Sequence, residues 1–121
     1  IDKFERNKTA WIRREDSYKN FNEINFGQIP LFAEDQNYIL SRVQPFVDKY
    51  CEQHNVKFFP KQIGFEQVRM KKYEVGGKDE FREHVDVGDH ASARRFLVMF
   101  FYLNNLAEGG ETAFIGIDLN V

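Results

Sequence analysis

One unbroken apolar run, Phe96-Leu97-Val98-Met99-Phe100-Phe101-Tyr102-Leu103, constrains this chain more than any other feature. Eight residues fall far short of the roughly 20 that a helix needs to cross a bilayer. Flanked by Arg94-Arg95 and Asn104-Asn105, the run reads instead as a strand buried in a protein core. At 121 residues the chain has room for a single domain, so the elements that cover the run must belong to the same unit.

The wider composition agrees with a folded, β-rich domain. Apolar residues make up 42% and charged residues 30%, the balance of a soluble globular protein. Thirteen Phe, five Tyr and one Trp favour pleated surfaces, on which large flat side chains pack well. A net charge of −2 gives no basic excess to drive phosphate binding, so no nucleic-acid partner is expected. With Cys51 alone, an internal disulfide and a cysteine-based zinc site are both excluded. The lone thiol suits a reducing, cytoplasmic setting, and no membrane partner is expected.

Texture changes along the chain. Residues 1–60 are polar and hold all three prolines, whereas residues 61–121 hold all but one of the glycines. Between Glu34 and Asn55, Ile39, Val43, Phe46, Val47 and Tyr50 follow the stripe of a helix lying on a core, with a kink expected at Pro45. Residues 4–14 fit a strand or a short helix equally. Beyond Phe65 four β-prone stretches follow, 65–75, 81–87, 95–104 and 111–117. Gly76-Gly77, Gly88-Asp89 and Gly109-Gly110 separate them with residues suited to tight antiparallel turns. The expectation is one α+β domain over 1–121 with a mainly β core: a helical flank over 1–60, then a sandwich or jelly roll over 61–121.

Chemistry concentrates in His84-Val85-Asp86-Val87-Gly88-Asp89-His90. On an extended strand His84 and Asp86 project from one side and Val85 and Val87 from the other. An imidazole and a carboxylate so placed supply two of the three ligands of a facial triad that leaves positions open on non-haem Fe(II). Read blandly, the same two residues are an ordinary strand pair. His90, past Gly88, reads as an exposed turn residue, and His54 as a cation near the carbonyl end of a helix. Lys71-Lys72 and Arg94-Arg95 read as solvated charge, and Cys51 as packing.

Taken in order, Tyr73, Gly76, His84-x-Asp86, Arg95, Tyr102-Leu103-Asn104 and Gly109-Gly110-Glu111-Thr112-x-Phe114 resemble the prolyl 4-hydroxylase-like group of Fe(II)- and 2-oxoglutarate-dependent dioxygenases. The likeness covers roughly residues 65–117. It implies a double-stranded β-helix, cupin-like, with His84 and Asp86 binding Fe(II), and Tyr73, Tyr102 and Thr112 lining the 2-oxoglutarate cosubstrate as hydrogen-bond donors. Ascorbate is a candidate further cofactor. The implied reaction hydroxylates a peptide or small-molecule substrate, prolyl by association, with release of succinate and CO2. A non-catalytic jelly-roll module without the metal is the alternative.

This chain also departs from the group. The group's third ligand is a downstream histidine followed by a Lys or Arg that pairs with 2-oxoglutarate, yet no histidine follows His90 and no basic residue follows Arg95. The β-helix is therefore expected to be incomplete at the C-terminus, with the parent protein continuing past Val121. The spacing from Tyr73 to His84 is longer than the group's and implies an enlarged loop over 76–81.

Overall fold

The structure is a computed structural model that describes residues 1–116 and the backbone of residues 119 and 120. It is α+β, with two helices and a small antiparallel sheet. The first helix, α1 (Asp2–Arg6), buries Phe4. A single 3-10 turn leads from it to Trp11, which stacks on Phe4 at 4.6 Å and donates its indole N–H to the Phe4 carbonyl at 2.9 Å.

Strands β1 (Ile12–Glu15) and β2 (Lys19–Asn25) form a hairpin in register Ile12↔Glu23 to Glu15↔Asn20. Asp16 closes its turn by accepting the amides of Tyr18 and Lys19 on one carboxylate oxygen, both at 2.8 Å. The expected helical flank over residues 1–60 therefore also holds two strands. Their apolar residues are too few to stand out as an alternating pattern, so the turn chemistry at Asp16-Ser17 was the available signal.

On the other edge of β2 lie β3 (Arg69–Lys72) and β4 (Glu80–Phe81). Lys72 pairs with Asn22 and Glu80 with Asn20, so residues 73–79 all stand opposite the single residue Phe21. β3 and β4 are thus one edge interrupted by an inserted loop. Asp79 anchors that loop, accepting from the Glu74 amide at 3.0 Å and from both terminal nitrogens of Arg13 at 3.1 and 2.8 Å. At its tip Gly76 takes a φ of +72°, a conformation that side chains disfavour.

Helix α2 (Ala33–Gln53) runs through Pro45 and buries Val43 and Val47. Phe46 and Tyr50, expected in the same stripe, stay largely exposed. The core gathers Phe4, Ile24, Phe26 and Phe32, with Ile39 of α2 and Met70 of β3 packed against it. Alternation along the strands gives the sheet two faces. Ile24, Met70 and Lys72 face the helices; Phe21, Glu23, Lys71 and Phe81 point to the open side.

The second half departs most from expectation. Residues 95–104 form no ladder among the described residues. The apolar run instead makes aromatic contacts, Phe96 edge-on to Phe59 at 5.4 Å and Phe101 edge-on to Phe46 at 6.2 Å. The expected strand at 111–117 contracts to β5 (Ala113–Phe114), which pairs with β6 (Leu119–Asn120); its last residue, 117, lies outside the described residues. No helix among the described residues is long and apolar enough to cross a membrane.

Candidate functional site

The open face of the sheet leads directly to the His84–Asp86 pair. Phe21, only 1% exposed, lies 5.2 Å from Tyr73 and 5.4 Å from Phe81. The His84 ring stacks on Phe81 at 3.7 Å and an interplanar angle of 15°. Central strand, flanking tyrosine and imidazole are thereby joined through ring contacts. The expected strand over 81–87 stops at Phe81, since β2 begins at Lys19 and only the bond from the Arg82 amide to the Tyr18 carbonyl, 2.8 Å, extends the pairing. His84 and Asp86 sit just past that end.

His84 Nε2 and Asp86 Oδ1 are 3.7 Å apart. The other ring nitrogen, Nδ1, lies 2.7 Å from the Arg82 carbonyl, which only accepts, so Nδ1 carries the proton and donates it. Nε2 is left facing a carboxylate oxygen, and a neutral ring offers its lone pair there. Two acceptors facing one another call for a proton or a cation between them. At metal–ligand bonds of about 2.1 Å each, two ligands at right angles on one cation stand about 3.0 Å apart, so the pair would have to close by somewhat under about 1 Å to share an octahedral cation. A ligating histidine that donates its second nitrogen to a carbonyl is the usual arrangement around bound metals.

Arg95 fixes the acidic half. Its Nη1 donates to the Asp86 carbonyl at 2.7 Å, while Nε and Nη2 grip Glu66 at 2.5 and 3.0 Å. The guanidinium holds the Glu66 carboxyl below the usual carboxylate range. A second brace follows Asp86: Ser92 is buried and accepts the amides of Gly88 and Asp89, both at 3.1 Å, while its own amide donates to Asp89 at 2.7 Å.

Of the three residues expected along the cosubstrate, Tyr73 belongs to the ring cluster. Burial, helped by Asp79 and Glu23, pushes its phenol up to about 12, which keeps it a donor through the neutral range. Tyr102 and Thr112 are brought together with their hydroxyl oxygens 2.7 Å apart. Among the described residues no hydrogen bond joins that couple to His84 or Asp86.

No enclosed hollow surrounds the pair among the described residues: the side chains of His84 and Asp86 are 37% and 49% exposed. Two clefts, of about 370 and about 210 Å³, lie elsewhere: one between the β1–β2 turn and the loop at 77–82, the other beside Phe4 and Phe32.

Sequence reading missed the pairing of Arg95 with Glu66, since 29 residues separate them and no local pattern links them, and with it the shorter-range bond from Arg95 to the Asp86 carbonyl. It also placed Lys71 on a plain solvated surface. Its ammonium stands over the Phe81 and Phe21 rings at 4.3 and 5.0 Å, and the two-residue step to Tyr73 was the signal for their common face. No protein-family model, curated protein or solved structure matches this chain.

Proposed function

We propose that this chain carries the metal- and cosubstrate-binding segment of an Fe(II)- and 2-oxoglutarate-dependent oxygenase of the prolyl 4-hydroxylase type, built on a double-stranded β-helix. Its reaction hydroxylates a peptidyl substrate, prolyl by association, and converts 2-oxoglutarate and dioxygen to succinate and CO2. The observation that carries this reading is the opposed Nε2 and Oδ1 of His84 and Asp86, with Nδ1 committed to a carbonyl. The double-stranded β-helix rests on the family resemblance; a small antiparallel sheet with helices on one face is the part of it present here.

Bound Fe(II) with 2-oxoglutarate supplies the oxidising chemistry that this chain's own side chains lack. His84 and Asp86 hold the cation, and Arg95 keeps the Asp86 backbone from turning away. Tyr73, Tyr102 and Thr112 serve as neutral hydroxyl donors that orient a carboxylate without adding charge.

The test is metal binding. Replacing Asp86 with Ala abolishes Mn(II) binding in anaerobic titration and stops succinate formation, while the circular dichroism of α2 is unchanged. Succinate formation that survives the substitution overturns the assignment. Among the described residues no third His, Cys, Asp or Glu joins the pair; that favours the second reading, a non-catalytic jelly-roll module, which is the conclusion if the unsubstituted chain takes up neither Mn(II) nor Fe(II).

A further inference from the structure

The two faces of the sheet differ in charge. On the helix side the strand positions carry Arg13, Glu15, Lys72 and Glu80, two of each sign. On the open side they carry Arg14, Lys19, Arg69 and Lys71 against one carboxylate, Glu23. Glu23 is buried and already matched, with Arg14 Nη2 at 2.5 Å. The open face is therefore cationic in a chain whose net charge is −2.

Lys71 is the centre of that field. It stands directly opposite Glu23 and has no carboxylate within ion-pair distance among the described residues. Its ammonium shares the Phe81 ring with His84. Burial of the ammonium lowers its pKa; Glu23 and Asp86 raise it, while Arg69 and Lys19 lower it further, so the three cations act on one another. A face on which exposed cations outnumber the carboxylates facing them is arranged for an anion from outside.

Length decides what kind of anion. Lys19 lies at one end of β2 and Arg69 pairs with Asn25 at the other, so the stripe runs about 20 Å at 3.3 Å per residue. A single small acid covers one part of that distance; an extended peptide of about six residues covers all of it. Single-stranded nucleic acid is disfavoured because of the rings on this face Phe21 is buried and Phe81 is covered by His84 and Lys71, which leaves Tyr73 alone to stack a base where successive bases need successive platforms.

We propose that this face binds an acidic peptide segment, with Lys71 receiving one of its carboxylates beside the His84–Asp86 pair and Arg69 and Lys19 guiding the rest. That the peptide is the hydroxylated substrate rests on the oxygenase reading; that it binds does not.

The experiment is a chemical-shift titration of the full chain with an acetylated hexapeptide of alternating Asp and Pro, and with its Asn-Pro counterpart. The acidic peptide binds at least about tenfold more tightly, salt weakens it, Lys71→Gln and Lys19→Gln each erode the preference, and Lys71→Arg retains it. Equal affinity for the two peptides overturns the proposal, as does tighter binding of a hexauridylate. Mn(II) titration of the same samples separates the two ideas. Lost metal binding with the acidic preference intact removes the oxygenase and leaves the peptide face; intact metal binding with no preference does the reverse.

Discussion

At the residue scale, Tyr73 and Arg95 carry distinct consequences. With its phenol raised from 10 to about 12 by burial, Tyr73 stays protonated in the folded state where an unfolded chain has begun to ionise. The stability it contributes is full below pH 10 and is lost as pH climbs toward 12. Ultraviolet titration of the phenolates shows one tyrosine ionising about two pH units above model tyrosine, and Tyr73→Phe removes that step. Arg95 is a positioning residue: it touches the Asp86 backbone and not the proposed cation. Arg95→Gln lowers Mn(II) affinity by about tenfold or more, the usual effect of losing an outer support, and Arg95→Lys recovers part of it. Because Asp86→Ala removes a proposed ligand outright, the two variants are expected to differ in whether any metal binding remains.

At the scale of elements, β2 organises the fold. It is the one strand paired on both edges of the four-stranded sheet, and its Ile24 is fully buried between sheet and helices. Ile24→Ala leaves a cavity among Phe4, Phe26 and Phe32 that the short elements around it close poorly. A loss of about 2–5 kcal/mol in urea unfolding is expected. The inserted loop at 73–79 behaves differently, since it sits outside the core and hangs on Asp79. It separates β3 from β4 while both keep the same β2 edge, so His84 still arrives beside Phe21 and Phe81.

Across the whole molecule the apolar run over 96–103 stays largely uncovered. Phe96, Val98, Phe100, Phe101, Tyr102 and Leu103 are each between 44% and 61% exposed. A contiguous apolar stretch of this kind is larger than the scattered exposure normal for a monomer. Anilinonaphthalene sulfonate is expected to bind the native chain with strong fluorescence, and Phe100→Lys to reduce that signal without altering the helical circular dichroism. Unchanged fluorescence in the variant places the dye elsewhere, the apolar cleft beside Phe4 being the evident alternative.

By itself the sequence determined what depends on near neighbours. The three-and-four spacing around Val43 and Val47 specified α2 to within two residues of its ends, and the glycines at 76 and 77 marked a real turn. Tertiary structure alone decided which strand edges were free. Pairing energy goes to whichever partner reaches an edge in register; β1 and the β3–β4 edge took the two edges of β2, while residues 95–104 form no ladder among the described residues. The same long-range selection brought Arg95 to Glu66 across 29 residues and set Lys19 on one face with Arg69 and Lys71, placements that no window of neighbouring residues contains.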